Sequence, residues 1–409
     1  MRILLSDGSG LTSRQVAGQL SAAGHHVEVL SPERLCLCRF TRHVRRVNRV
    51  PGYGGDPLGW LDAALAVYRA GGFDVLLPTQ EQVAVLALVS PRLEAEGVRT
   101  AVPAFEAVRA VQDKVSAWGT LGALGIPQPP TVFFGSADDL LAWRSFPVFI
   151  KVPIGTATSG VRRVGSATAL RSAAAELETA GVFPGGGVVA QEPADGPLAM
   201  IQTVFAGGEM VAAHANLRVR EGARGGASHK RSLDQPAAAI APVEKLGRAL
   251  RWHGALSADA ILTGAGPVLI DVNPRLVEPV NAWRAGVDLT GALLEVARGR
   301  RPAAQPPGRP GVATHQLLLA VLGAGADGRG RRGVAGEVLA ALARTGSYRG
   351  SAEELTPAGR DPLAAVPVLA AAAGMLIRPA LWHWLAGGGV AGYALTPAGW
   401  DRLLEYDAA

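Results

Sequence analysis

The sequence predicts a mixed α/β and α+β chain of more than one domain, on three observations. The first hundred residues alternate short apolar strands with helical runs. The middle of the chain carries hairpin signals between apolar strands. A Pro- and Arg-rich stretch, RPAAQPPGRPGV, then precedes a long Ala- and Leu-rich tail. A length of 409 residues fits two or three domains of about 100–200 residues each. The hydrophobic share of 48% is enough for sizeable cores.

The segment RILLSDGSG reads as a strand ending in a Gly/Ser turn, followed by a helix in LTSRQVAGQLSAAG and a second strand in HHVEVLS. Strand, loop, helix and strand in about thirty residues make a βαβ unit with a parallel sheet. FDVLLPTQE continues the sheet, and GVRTAVP follows a helix at 81–96. The loop DGSG is not GxGxxG and no acidic residue ends the second strand, which argues against a dinucleotide site. The strand ends near Asp7 and at Thr79, Gln80 and Glu81 still face the carboxyl edge, where open α/β sheets bind ligands.

A helix is expected from Phe105 to Leu124, stopped by Gly125 and by Pro127, Pro129 and Pro130 beyond it. PVFIKV, VRRVG, GVVAQEP, MIQTVFAGGEMVAAHANLRVR and PVLIDVNPR read as mostly antiparallel strands, turning at FAGGEM and TGAGP. Helices are expected at 168–180 and 241–254. The boundaries are thus an α/β domain at 1–105, an α+β domain at 106–300, a Pro/Arg linker at 301–312 and a mainly helical extension at 313–409. The apolar run at 366–395 is divided by Arg378 and Pro379. It falls short of the ~20 apolar residues of a membrane span. It reads as a buried helical pair, and the sequence argues against membrane contact.

Forty basic against 34 acidic residues give a net charge of +6. The arginines fall in separate clusters at 39–49, 297–302 and 328–333, and aromatics are only 5%. No basic stretch alternates with stacking aromatics, so a nucleic-acid partner is not expected. The two cysteines, Cys36 and Cys38, have neither disulfide-framework nor zinc-quartet spacing. They read as buried thiols of a reducing compartment, and with no signal peptide before the first strand the expected location is cytoplasmic.

Only four of the basic residues are lysines: Lys114, Lys151, Lys230 and Lys245. An arginine-replaced chain should keep lysine where a compact ammonium must act as a point charge between oxygens. Lys151 ends PVFIK and enters a Gly/Ser/Thr loop containing Gly155, Thr156, Thr158, Ser159 and Gly160. Such a hairpin can fold backbone amides and hydroxyls over a polyphosphate. In VLIDVNPR, Asp271 and Asn273 share a strand face, and Asp259 lies on the neighbouring strand across the GAGP turn. Carboxylates and an amide without His or Cys make a hard-cation site, best suited to Mg²⁺ bridged to nucleotide phosphates. The strand GGVVAQEPADG offers backbone groups and Gln191 to an adenine edge.

The order of these pieces, DK…LGIPQPP, PVFIK with its Gly-rich loop, VVAQEPADG, an acidic residue and IDVNPR, closely resembles the ATP-grasp superfamily. The resemblance covers roughly 105–299, with a Rossmann-like pre-ATP-grasp domain before it and a C-terminal helical extension after it. It implies ATP and one or two Mg²⁺ ions, with Mn²⁺ able to substitute. Lys114 and Lys151 would contact the α- and β-phosphates under the mobile loop Gly155 to Gly160. Gln191, Glu192 and the Ala194 backbone would form the adenine hinge. Lys230 or Arg231 would come from a loop over the γ-phosphate. Asp259, Asp271 and Asn273 would hold the metal, and Arg275 would stabilise the transferred phosphoryl group. Two positions depart from the family pattern. Asp271 stands where Glu is commoner, and the ribose-gripping acid would fall near Leu198, with Asp195 the nearest substitute.

The resemblance implies a carboxylate–amine ligase that forms an acyl phosphate and ADP, acting on small-molecule carboxylate and amine substrates such as an amino acid. Glu81, Glu278 and Arg284 are acceptor-pocket candidates by the same likeness, and a homodimer is compatible with it. Two alternatives stand beside this reading: activation of bicarbonate or carbamate on the same fold, and a non-catalytic nucleotide-binding scaffold.

Overall fold

The structure is a computed structural model that describes residues 1–156, 159–355 and 359–408. The N-terminal unit contains β1 (Arg2–Leu5), α1 (Leu11–Ala22), β2 (His26–Ser31), β3 (Arg46–Arg49), α2 (Pro57–Gly71), β4 (Val75–Leu77), α3 (Val83–Leu88) and α4 (Ser90–Ala95). Its sheet is parallel, in the order β3-β2-β1-β4. Ile3, Leu4 and Leu5 are fully buried, as continuous apolar runs are when both sheet faces are covered. After α4 the chain adds no strand; the Arg99 carbonyl accepts one bond from the Leu76 amide. The Asp7 carboxylate accepts from the amides of Ser9 and Gly10 and from the Ser13 hydroxyl. It thereby closes the DGSG loop on itself.

The single helix expected at 105–124 is two helices, α5 (Phe105–Gln112) and α6 (Lys114–Ala123). Asp113 breaks it: the residue is extended (φ −97°, ψ 150°) and its carboxylate caps α6 by accepting from the amides of Val115 and Ser116. Aspartate at an N-cap offsets the orphan donors of a first turn, and here that starts a helix on Lys114. Next come β5 (Thr131–Phe134), α7 (Ala137–Leu140), β6 (Val148–Lys151), β7 (Val161–Val164), α8 (Ala167–Thr179) and β8 (Val188–Gln191). They build an antiparallel sheet in the order β5-β8-β6-β7.

The remaining elements are β9 (Leu198–Ala206), β10 (Glu209–Glu221), β11 (Ala227–Ser232), α9 (Ala237–Ala249), β12 (Gly254–Thr263), β13 (Gly266–Asn273), α10 (Val280–Ala285), α11 (Leu289–Ala297), β14 (Ala313–His315), α12 (Leu317–Ala326), α13 (Gly330–Ala343), β15 (Ala352–Glu353), α14 (Val366–Ile377), α15 (Trp382–Ala391) and α16 (Pro397–Ala408). The large sheet runs β13-β12-β9-β10-β11-β14-β15. Gly207 and Gly208 both take positive φ in the β9–β10 hairpin, as a tight two-residue turn requires.

The tail is therefore not helical alone: β14 and β15 extend the large sheet. The stretch 301–312 is irregular but pinned, through bonds from the Gln305 amide to Val211 and from the Ser232 amide to Val312. The run at 366–395 does break at Arg378, but it is not a buried pair. α14 buries Val368, Ala371, Ala372 and Met375, whereas α15 buries no residue, and Trp384 is 74% exposed. Apart from His383 α15 is apolar, and a Cβ on Gly389 near its end would stand 3.3 Å from the Ser9 carbonyl oxygen of the DGSG loop. Among the described residues no helix is long and apolar enough to cross a membrane.

His229 on β11 stacks on His315 on β14, with ring centroids 5.8 Å apart, and Tyr348 stands edge-on 4.8 Å from both. Burial first of all pushes both imidazoles down to about 4. The unfolded chain, near the ordinary histidine value of about 6.5, therefore binds protons more readily than the folded one. The stability of this layer should be complete above pH 6.5 and fall as pH drops toward 4. Melting temperatures measured across that window should show the fall, and His315→Gln should make it shallower without removing it, because His229 keeps its own low value.

Candidate active site

Lys151 ends β6 and is 7% exposed. Its Nζ donates to Gln191 Oε1 at 2.7 Å and to the Ile270 carbonyl on β13 at 2.5 Å. The ammonium thus joins the small sheet to the large one. Burial lowers its pKa to about 8, with Asp271 opposing the fall and Lys114 adding to it. At neutral pH it stays mostly charged. Lys114, at the first turn of α6, donates from Nζ to the Gly155 carbonyl at 3.2 Å and lies 3.4 Å from Asp271 Oδ1. Two cations therefore flank one side of the cleft, and Gly155, Thr156, Glu81, Gln112, Asn273 and Arg275 are among the residues lining it.

Gly155 and Gly160 meet at the base of the glycine loop. A Cβ on Gly155 would stand 2.6 Å from Gly160 Cα, so neither position admits a side chain without displacement. The Val152 amide donates to the Gly160 carbonyl, and Ser159 Oγ both accepts from the Thr156 amide and donates to the Thr156 carbonyl. Thr158 lies outside the described residues.

On the facing strands, Asp259 stands directly across from Asp271, and Ser257 across from Asn273. Like charges opposite one another in an antiparallel pair repel. Burial first, and Asp271 second, push the Asp259 carboxyl up to about 7. The donor set is two carboxylate side chains and one amide, which suits a hard divalent cation. Such a cation would also relieve the charge the register brings together. Among the described residues there is no cluster of three or more His, Cys, Asp or Glu that could hold a metal. The Arg275 amide donates to the Asn273 carbonyl at 2.7 Å across Pro274, and Ser257 Oγ donates to the Arg275 carbonyl. This γ-turn fixes Arg275 at the cleft, and its guanidinium makes no hydrogen bond or ion pair among the described residues.

Other expected positions lie differently. Lys230 was expected on a loop over the γ-phosphate, but it sits within β11 at 1% exposure. Its Nζ contacts Glu278 and donates to Glu354 Oε2 at 2.7 Å. Burial opposes the charge, but the two carboxylates outweigh it and hold the pKa above the ordinary lysine value. The physical reason is pairing: β11 hydrogen-bonds to both β10 and β14, which turns the Gly-rich stretch into a central strand. Arg231 is the exposed neighbour on that strand. Gln191 is committed through its side chain, accepting from Lys151 and donating to Thr131 Oγ1 at 3.1 Å. The Glu192 amide donates to the Pro130 carbonyl, while Ala194 and Asp195 follow in irregular chain, Asp195 exposed. Of the acceptor candidates, Glu278 has a left-handed φ of 43°, and Arg284 stacks on Trp283.

Sequence reasoning missed the part played by the tail. Tyr393 is 8% exposed, with no hydrogen bond from its hydroxyl among the described residues. Burial raises its phenol pKa, and the charges of Arg275, Asp7, Glu81 and Glu278 act on it. Gln112 Oε1, beside the cleft, is likewise buried with no partner among the described residues. No periodic signal in the sequence could have joined Tyr393 to residues more than a hundred positions away.

No protein-family model and no curated protein sequence matches the chain. Solved structures do. The biotin carboxylase domain of Hydrogenobacter thermophilus 2-oxoglutarate carboxylase, a dimer in complex with MgADP, ADP and bicarbonate, shares 16% identity at a TM-score of 0.59, over 76% of this chain and 73% of that one. The L-amino acid ligase of Bacillus licheniformis shares 18% at 0.55, over 72% and 73%. The N5-carboxyaminoimidazole synthetase of Staphylococcus aureus shares 14% at 0.57, over 78% and 82%. All three are ATP-grasp enzymes, and this chain has the ATP-grasp fold.

The buried ion group around Lys230 yields a direct test. Removing one member of a buried pair leaves an uncompensated charge and costs about 3–5 kcal/mol. Lys230→Met should therefore lower the melting temperature of the nucleotide-free protein by many degrees. A lysine serving only a phosphate would leave that temperature unchanged.

Proposed function

We propose that the protein is an ADP-forming carboxylate–amine ligase. One observation carries the reading: Lys114, Asp271, Asn273 and Arg275 line a single cleft, and Lys151 bonds the carbonyl of Ile270, next in the chain to Asp271. A non-catalytic scaffold has no use for a metal donor set together with an unpaired arginine. The constellation also suits phosphoryl transfer, in which positioning and charge neutralisation do most of the work.

In this reading Lys151 and Lys114 hold the nucleotide phosphates as point charges. The amides and hydroxyls of Gly155, Thr156 and Ser159 cover them. Asp259, Asp271 and Asn273 would hold Mg²⁺, which when bound neutralises phosphate charge and aligns the oxygens of the transfer. A substrate carboxylate oxygen attacks the γ-phosphorus, the bond to the bridging oxygen breaks and ADP leaves. Arg275 stabilises the charge on the phosphoryl group in flight. An amine nitrogen then attacks the acyl carbon, the carbon–oxygen bond to phosphate breaks, and the amine gives up a proton. No protein nucleophile is required. The buried, free Cys36 and Cys38 fit a reducing, cytoplasmic setting.

Bicarbonate activation is the second reading, favoured by the bicarbonate in the Hydrogenobacter structure. Chromatography of reactions with amino acids or with bicarbonate separates the two. The ligase reading predicts ADP and phosphate in equal amounts with an amide product, and neither AMP nor pyrophosphate. AMP would place the enzyme in an adenylating class. Lys151→Arg should abolish turnover, because a planar guanidinium cannot occupy the space between Gln191 Oε1 and the Ile270 carbonyl. Wild-type turnover in that variant would remove the point-charge role.

A further inference from the structure

The two oxygens of the Glu81 carboxylate are each taken by a different part of the chain. Oε2 accepts from the Leu395 amide, 314 residues away, at 2.6 Å. Oε1 accepts from Thr156 Oγ1, in the glycine loop. Glu81 is 7% exposed and lines the cleft. Its own carbonyl is held by the Tyr53 hydroxyl at 2.8 Å. One side chain thus bridges the end of the tail to the loop that covers the cleft.

The tail is held at this place by several contacts. The Thr396 amide and hydroxyl both bond the Gly54 carbonyl. The backbones approach so closely that a Cβ on Gly54 would stand 2.4 Å from the Ala394 carbonyl oxygen, and one on Gly399 2.0 Å from the Gly54 carbonyl oxygen. From α16, Trp400 packs on Phe105 with ring centroids 5.8 Å apart, at the start of α5. α5 leads directly into Asp113 and Lys114. The tail therefore braces both the loop that carries Thr156 and the helix pair that carries Lys114.

We propose that the C-terminal segment 393–400 is a positioning element of the nucleotide site, acting through Glu81. This rests on the cleft being a nucleotide site. Leu395 never meets the nucleotide; its amide fixes the Glu81 carboxylate, and the carboxylate fixes Thr156. Nucleotide and tail then stabilise each other, because a favourable coupling between two sites is reciprocal.

Reciprocity supplies the test. Hydrogen exchange of peptides covering 390–396 is followed in the full chain with and without saturating MgAMP-PNP. Exchange at Leu395 should slow by about fivefold or more, the lower end of ordinary coupling. Thr156→Val, which deletes the hydroxyl arm, should bind MgAMP-PNP more weakly and, even at saturation, lose the slowing. Glu81→Leu should lose it too. Glu81→Gln should keep it, because its carbonyl can accept from Leu395 while its amide donates to Thr156. If MgAMP-PNP binds the wild type and exchange at Leu395 does not change, the proposal falls while the nucleotide site stands. If the slowing persists in Thr156→Val, the route through Glu81 is wrong. If MgAMP-PNP does not bind at all, the nucleotide site and the proposal fall together.

Discussion

The Lys151 ammonium is the contact on which the site depends. It is carried by the small sheet and bonded to a carbonyl of the large sheet, so it ties the two sheets together beside the cleft. Its other bond is to an amide oxygen and not to a carboxylate. A buried cation with only neutral acceptors in hydrogen-bond reach is costly until an anion joins it, and burial duly lowers its pKa to about 8. On the facing strands the opposite imbalance holds at Asp259, which strand register sets against Asp271 and which, unlike Asp271 beside Lys114, makes no ion pair among the described residues. A polyphosphate with a divalent cation offsets both at once. Neither imbalance serves stability by itself.

A second ionic group ties the three parts of the chain together. Lys230 on β11 lies between Glu278, just after the Asn-Pro-Arg turn, and Glu354, just after β15. Gln15 of α1 donates to Glu354 and accepts from the Val280 amide, and the Glu278 amide donates to Thr12. Such a network is expensive to bury and is stable only when nearly every group has a partner. It fixes Glu278 in a left-handed conformation that a non-glycine residue adopts only under surrounding constraint. The turn that presents Arg275 is thereby held from the N-terminal helix α1 on one side and the tail on the other.

Much of this was legible in the sequence because the signals were local. PVFIK followed by small residues, and an acid and an amide two apart in VLIDVNPR, put Lys151 at the end of β6 and Asp271 and Asn273 near the end of β13, the strand to which Lys151 bonds. Lysine scarcity was also informative, but its meaning differed from site to site. Lys230 survives for the reason Lys151 does, as a compact ammonium among oxygens, yet its partners are two glutamates of its own chain. Only the exposed Lys245 lacks such a setting. Asp113 was hidden inside a helical pattern, since an N-cap and a mid-helix aspartate look alike without the chain before it. Glu354, Tyr393 and Leu395 act through contacts across hundreds of residues, which periodicity cannot report.

If Asp271 and the lysines form one metal–nucleotide site, metal and nucleotide must bind there together. The direct measurement is calorimetric titration of ADP into the protein with and without Mg²⁺, in the wild type and in Asp271→Asn. Mg²⁺ is expected to tighten ADP binding to the wild type by about tenfold or more, some 1.4 kcal/mol. In Asp271→Asn, metal-free ADP binding should persist and the increment from Mg²⁺ should vanish, with the fold intact. Equal Mg²⁺ dependence in both proteins, or no ADP binding to the wild type, would contradict it.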